Sequence, residues 1–364
     1  MKLGVLGGGQ LGRMLALAGY PLGFQFRFYD NFPEAPVEDL AELVVGSYED
    51  KKKLARFAQG LDALTYEFEN VPVDCARFLS ERLSVFPPPT ALEVSQDRFV
   101  EKNFFRNLKI PTPNFFQIRS RAALEESIKK LGFPTVLKTR RLGYDGKGQY
   151  VIKKKSDIEV AWQALKTQDL ILEEFVDFDR ELSIVSVRDR QGSIAFYPVV
   201  ENQHHAGILR LSLAPAPNSD AALQAQAETY ARRVLNSLSY VGVLAIEFFQ
   251  IKNKLLVNEM APRVHNSGHW TIEGAETSQF ENHLRAMAQL PLGSTKPRGY
   301  AAMINLIGAV PPIKKLLAPS GVHLHLYNKT PRAGRKLGHI TICATTEKER
   351  KTQLTELKSQ VDFM

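Results

Sequence analysis

The sequence predicts an α/β opening unit, α+β units after it, and a small β-rich unit at the end. Three observations point there. A glycine turn, Gly7-Gly8-Gly9-Gln10-Leu11-Gly12, follows an apolar strand and opens into a helical pattern. A second glycine loop, residues 143–149, lies between two short strands of a small unit. Two neighbouring apolar runs, 243–250 and 254–259, each carry a glutamate, Glu247 and Glu259. The expected divisions are 1–96, 97–176, 177–296 and 297–364, the first of them just beyond the stiff Pro87-Pro88-Pro89 segment.

In chain order, residues 2–6 read as a buried strand. Leu11, Met14, Leu15 and Ala18 then recur at helical spacing. A second strand is expected over 24–29, ending at Asp30, and a later one over 63–67, ending at Glu67. Residues 97–102 are a charged helical stretch. The next unit is expected to hold a helix at 121–131, strands at 135–138 and 149–152, a helix at 156–166 and a strand at 170–173. Residues 181–188 and 194–200 read as adjacent strands, and 219–238 as a long helix before the two acid-bearing strands. The remainder reads as strands closed by a final helix.

The 364 residues are 44% hydrophobic and 24% charged, which excludes disorder and collagen-like repeats. No apolar run reaches the ~18 residues needed to cross a bilayer, and glycines break up the first residues too much for a secretory signal. Two cysteines argue against a disulfide framework and fit a reducing cytoplasm. The net charge of +8 is scattered; the triplets 51–53 and 153–155 read as solvated faces. No nucleic-acid or membrane partner is expected, and a basic balance suits phosphate-bearing substrates.

Gly7, Gly9 and Gly12 fit the G-x-G-x-x-G pattern, in which the backbone approaches a phosphate at a helix N-terminus. Asp30 lies where a dinucleotide-binding protein places its ribose acid, so a nicotinamide-dependent oxidoreductase is a rival reading. A tight turn without ligand is the plain alternative. The loop Gly143-Tyr144-Asp145-Gly146-Lys147-Gly148-Gln149 is not a P-loop, since no Lys-Ser or Lys-Thr pair follows. It reads either as a hairpin turn or as a mobile lid over phosphates. Lys138, ending an apolar strand, needs an anion. The run Glu173-Glu174-Phe175-Val176 can offer backbone groups to an adenine edge, and Glu181 can accept from ribose hydroxyls. An antiparallel hairpin would set Glu247 beside Glu259; two such charges stay ionised only around a cation, and with Asn258 they suit Mg²⁺. Arg263, His265, Asn266 and Ser267 follow as a polar cluster suited to a small-molecule pocket.

Four stretches together resemble an ATP-grasp ligase, and more narrowly the N5-carboxyaminoimidazole ribonucleotide synthetase family: 7–14, 143–149, 258–270 and 327–339. The resemblance implies an ATP-grasp fold with an N-terminal Rossmann-like, biotin-carboxylase-type domain and a small C-terminal β-rich domain. It implies ATP-dependent carboxylation of 5-aminoimidazole ribonucleotide by bicarbonate, through carboxyphosphate, in purine synthesis. By this likeness Arg98, Lys138, Gly143 to Gln149, Glu173 to Val176, Glu181, His204 (or its neighbour His205), Asn258 and Glu259 would bind ATP. Glu247 and Glu259 would hold Mg²⁺. Gly8, Gly9, Gln10, Leu11, Lys329 and Arg335 would meet the substrate's 5′-phosphate. Glu67, Tyr144, Asp145, Arg263, His265, Asn266 and Ser267 would surround its imidazole and ribose and the bicarbonate; Arg263, His265 and Lys138 are the expected catalytic groups. Val264 stands where many relatives have proline. The likeness also implies a homodimer and a separate mutase for the next step. The near rivals are formate-dependent glycinamide ribonucleotide transformylase and biotin carboxylase.

Overall fold

The computed structural model describes residues 1–143, 146–165 and 169–359. Its first sheet is parallel. Strand β1 (Lys2–Leu6) runs into helix α1 (Gln10–Gly19); β2 (Gln25–Asp30), β3 (Glu42–Val45), α2 (Lys51–Ala58) and β4 (Ala63–Tyr66) follow. The strand order is β3-β2-β1-β4. Consecutive strands flank β1 on one side and β4 lies on the other, so the order reverses between β1 and β4. Open α/β sheets bind ligands outside the carboxyl ends of their strands at such a switch. Gly7 and Glu67 emerge there, immediately after β1 and β4. Gly7 adopts φ +98°, and a Cβ on it would lie 2.5 Å from Glu67 Cγ, so only glycine fits.

Helices α3 (Val73–Ser80) and α4 (Pro89–Ser95) lead to α5 (Arg98–Asn107). Asp97 caps α5, accepting from the amides of Phe99 and Val100, and also receives Arg140 Nη2 at 2.6 Å. The cap thereby ties α5 to the second sheet. That sheet holds β5 (Phe115–Ile118), α6 (Arg121–Leu131), β6 (Thr135–Thr139), β7 (Gln149–Ile152), α7 (Asp157–Leu165) and β8 (Leu170–Glu174), in the order β5-β8-β6-β7. The second glycine loop joins β6 to β7, and its Gly146 and Gly148 both have positive φ. A Cβ on Gly146 would lie 3.0 Å from Ala206 O, so the loop lies against the turn at Ala206-Gly207.

The third sheet has nine strands: β9 (Arg180–Arg188), β10 (Ile194–Phe196), β11 (Val200–His205), β12 (Ile208–Ala214), β13 (Gly242–Ile251), β14 (Lys254–Ala261), β15 (Tyr300–Ile307), β16 (Val322–Leu326) and β17 (Lys336–Ala344). Helix α8 (Ala221–Ser237) precedes β13, and α9 (Thr271–Gly274) and α10 (Gln279–Met287) follow β14; α11 (Ile313–Leu316) and α12 (Glu347–Lys358) belong to the C-terminal part. Alternation sorts this sheet's residues into two cores. Leu182, Ile184, Leu244 and Ile246 face α8, whose Leu223, Ala227, Ala231 and Val234 form the matching stripe. Val185, Val187, Val243 and Ala245 face the other way, sharing a core with α10 and with Leu3, Val5 and Leu15 of the first unit. Glu247 is next in that second series, at the point where the apolar face ends.

Two sequence expectations change. The strand expected over 194–200 is two strands, β10 and β11, both paired to β9. The break falls at Tyr197-Pro198, where proline has no N–H to extend the ladder. The C-terminal strands do not build a sheet of their own: β15 pairs with β12, which joins that unit to the central sheet. Among the described residues, no helix is long and apolar enough to cross a membrane.

Candidate functional site

A cavity of about 490 Å³ opens where the three sheets meet. Its wall runs from Gly9 and Glu67, past Arg98 and Gly143, to Glu247, Glu259, Arg263 and His265, and on to Lys329. The acid-bearing strands form its floor. In the β13–β14 ladder, Glu247 is the direct partner of Glu259, while Phe248 pairs with Val257. Asn258 is therefore the extra residue of a β-bulge, a device that re-aims side chains beside functional sites. Its Oδ1 is buried with no hydrogen-bond partner among the described residues.

The pair is electrostatically asymmetric. Burial, reinforced by the charge of Glu259, pushes the Glu247 carboxyl up to about 7. Burial also opposes the charge on Glu259, yet Arg98 Nη1, 2.8 Å from its Oε2, holds that carboxyl below the usual range. A divalent cation between the two removes the repulsion that raises Glu247, and carboxylate plus amide oxygens are the hard donors Mg²⁺ prefers. The residues fit the ion.

Arg98 belongs to a larger arrangement. Arg98, Glu101 and Lys102 stand at i, i+3 and i+4 on α5 and so share one face. They meet three consecutive residues of β14: Lys102 Nζ donates to Asn258 O at 3.1 Å, Arg98 to the Glu259 carboxylate, and Glu101 Oε1 accepts from Met260 N at 2.8 Å. Arg98 also donates to Gly143 O at 3.3 Å, at the base of the glycine loop.

Lys138 finds its anion within the protein: Nζ donates to Glu173 Oε2 at 2.9 Å, and Lys102 Nζ lies 3.3 Å from the same oxygen. Burial works against the Glu173 charge, but the two lysines bring its carboxyl down to about 2. The side chain of Glu173 thus turns inward to the lysines. The Glu174 side chain bonds Asn114 Nδ2 at 2.8 Å, and Phe175 is exposed. Glu181 Oε2 pairs with His204 Nδ1 at 2.8 Å. Burial opposes a charge on His204, but Glu181 and Glu247 raise its pKa. His204 lines the cavity whereas His205 is exposed, so His204 is the one placed to meet a ligand.

Beyond β14, Arg263 Nε donates to Glu69. Burial and the Arg263 charge depress His265 to about 3, so its imidazole is neutral at physiological pH; Nδ1 pairs with Ser267 Oγ at 2.9 Å and Nε2 lies 3.6 Å from Glu247 Oε1. Both polar side-chain atoms of Asn266 are buried without a partner among the described residues. Such orphaned groups are costly unless a ligand or water completes them. Val264 is fully buried in the core shared with α10.

The first glycine turn departs from its sequence reading. Its amides are already engaged by carboxylates: Gly8 N donates to Asp30 Oδ2 at 2.7 Å, Gly9 N to Glu67 Oε1 at 2.9 Å, and Leu11 N and Gly12 N to Glu67 Oε2 at 3.1 Å each. Asp30 is thus a brace for the loop, and Glu67 is the anion at the α1 N-terminus. What faces outward is Gln10, whose Oε1 accepts from Lys329. Burial lowers Lys329 to about 8 against the pull of Glu67. Arg335 lines a neighbouring cavity of about 810 Å³ that shares Lys329 with the first. Tyr144 and Asp145 lie outside the described residues; Gly146, Lys147, Gly148 and Gln149 follow them, with Gln149 paired to Lys138 across the β6–β7 ladder.

Sequence reasoning missed Glu69, Glu101 and Lys102. The 97–102 stretch was visible as a charged helix, and its i, i+3, i+4 spacing was the available signal. Glu69 offered none, because its partner lies 194 positions away.

A ribonucleotide synthetase preATP-grasp domain matches residues 1–96, an ATP-grasp domain 103–280, and a phosphoribosylaminoimidazole carboxylase C-terminal domain 301–353. The N5-carboxyaminoimidazole ribonucleotide synthase of Pseudomonas aeruginosa is 50% identical over 362 residues, covering 100% of both chains. The crystal structure of the synthetase from Thermus thermophilus is 57% identical with a TM-score of 0.96, over 100% of this chain and 99% of that one. The Aspergillus clavatus enzyme in complex with ADP and 5-aminoimidazole ribonucleotide is 31% identical with a TM-score of 0.93, over 100% and 99% of the two chains. With its sheets, its acid hairpin and its three matched domains, the chain belongs to the N5-carboxyaminoimidazole ribonucleotide synthase family of ATP-grasp enzymes.

Proposed function

We propose that this chain joins bicarbonate to the exocyclic amine of 5-aminoimidazole ribonucleotide, converting ATP to ADP and phosphate, as a carbon–nitrogen ligase of purine synthesis. The observation that supports this most is one cavity reaching from the Glu247–Glu259 pair to Gly9, Glu67 and Lys329. One enclosure of this kind supports a reading in which a phosphoryl-transfer centre and a sugar-phosphate centre lie side by side. The substrate class is that of its Pseudomonas aeruginosa and Aspergillus clavatus relatives.

The chemistry has two steps. A bicarbonate oxygen attacks the γ-phosphorus and ADP leaves, giving carboxyphosphate. The amine then attacks the carboxyl carbon, or the CO₂ set free from it, and phosphate departs. Lys138 and Arg98 would meet the triphosphate, with His204, Glu181 and backbone groups of 173–176 holding the nucleoside. Glu247, Glu259 and Asn258 would hold Mg²⁺, which neutralises phosphate charge when bound. Arg263, fixed by Glu69, would hold bicarbonate, and a neutral His265 would orient it without adding charge. Asn266 and Ser267 would face the imidazole. Glu67, Gln10, Lys329 and Arg335 would take the ribose and 5′-phosphate. The 143–149 loop, closing from the β6–β7 hairpin, would exclude water from carboxyphosphate. A homodimer, a cytoplasmic setting and a hand-off to a separate mutase complete the proposal by family likeness.

ADP release measured with each substrate omitted in turn tests it. Release that needs ATP, bicarbonate and the aminoimidazole nucleotide together is the expected result. Release driven instead by formate with glycinamide ribonucleotide would reject it.

A further inference from the structure

We propose that Lys102 is a positioning residue for ATP capture: it takes over the Glu173 carboxylate when Lys138 turns from it to the phosphates. The inference rests on the ATP site proposed above. It begins with a shared partner. In the ligand-free chain two lysine side chains reach a single carboxylate oxygen, Glu173 Oε2, at 2.9 Å from Lys138 and 3.3 Å from Lys102. Glu101 also acts on Lys102 and Glu259 on Lys138, but Glu173 is the one carboxylate that both lysines touch among the described residues.

The two lysines are not equivalent. Lys138 stands on β6 opposite Gln149, where the glycine loop closes, and its side chain keeps 11% of its exposure. Lys102 sits at 1% exposure on α5, where its Nζ is also anchored to Asn258 O. Lys138 is therefore the group free to turn, and Lys102 is the group that stays. Glu173 is equally buried, at 2% exposure, and its second oxygen, Oε1, has no partner among the described residues.

Removing one partner of a buried ion pair leaves an uncompensated charge, which strongly opposes the move. If Lys138 were the sole partner of Glu173, ATP could recruit it only by stranding that carboxylate. Lys102 removes the obstacle. It also reaches Asn258, beside Glu259 of the acid pair, so the same ammonium links β8 of the second sheet to the acid hairpin of the third.

Four full-length proteins test this: wild type, K102M, E173Q and K102M/E173Q. Steady-state ADP release gives the ATP KM and kcat, and calorimetry with magnesium adenylyl imidodiphosphate gives affinity. K102M is expected to raise the ATP KM about tenfold or more, with kcat changed less than about threefold. In the E173Q background the carboxylate is already replaced by a neutral amide, so removing Lys102 is expected to change the ATP KM less than about twofold. An ATP KM in K102M within about twofold of wild type overturns the proposal. So does a loss on removing Lys102 that is as large in the E173Q background as in the wild-type one, because Lys102 would then act through Asn258 or on ATP directly. If K102M does not fold, K102Q replaces it in both backgrounds and is judged by the same two criteria. Wild type that neither binds the analogue nor turns over ATP would refute the functional reading itself, a separate failure.

Discussion

Glu247→Gln separates the function of the acid pair from its cost to the fold. Glu247 is raised from 4.5 to about 7, chiefly by burial and then by the charge of Glu259. A raised acid is penalised as pH rises. Below the unfolded value near 4.5 both states are protonated and the group contributes nothing. Between 4.5 and 7 the unfolded chain gives up its proton first, and stability falls. Above that range the full penalty is in force. A shift of this size corresponds to about 3 kcal/mol at about pH 8. Gln cannot ionise, so it relieves the penalty: the melting temperature of the metal-free protein should rise by several degrees at about pH 8, at ~2 °C per kcal/mol for a chain of this size. At about pH 5 the gain should be a small fraction of that. Turnover should be lost at both pH values. The assay is a pair of thermal melts in chelator, beside ADP release with magnesium. An equal gain at the acidic and the alkaline pH, or none at either, would refute the electrostatic reasoning.

Three further outcomes follow from the geometry. Lys138→Ala should raise the ATP KM by roughly tenfold or more yet leave the melting temperature nearly unchanged, because Lys102 still pairs Glu173; steady-state kinetics with a melt checks both. Arg263→Lys should lose the contact to Glu69 and cost about 1–3 kcal/mol of transition-state binding, seen in kcat/KM for bicarbonate while calorimetric ATP affinity holds. Glu67→Gln should weaken the three amide contacts at the α1 N-terminus and raise KM for the aminoimidazole nucleotide by about tenfold, with KM for ATP little changed. An ATP-specific defect there would contradict the placement of Glu67.

The acid pair was legible because Glu247 and Glu259 interrupt apolar runs that only a buried ribbon explains. Their register was not. Ile251 pairs with Lys254 across the turn, and uniform counting back from there sets Glu247 against Asn258; the bulge supplies the one-residue correction. Lys138 was legible as a buried cation in need of an anion, but Glu173 as that anion depends on the β6–β8 pairing, which joins distant segments. The glycine turn announced an anion at a helix start. That Glu67 supplies the anion is set by β4 lying beside β1, a topological fact with no local trace. Likewise α5 showed its charges in sequence, while their contacts with 258–260 exist only once the third sheet has formed.

The central claim is that Glu247 and Glu259 together hold the divalent ion that accompanies ATP. Crystals soaked with Mn²⁺ and adenylyl imidodiphosphate, measured at the manganese absorption edge, test it most directly. An anomalous peak within coordination distance of both carboxylates and of the nucleotide phosphates is the predicted result. A nucleotide-bound crystal whose manganese peak lies away from both glutamates would contradict the account.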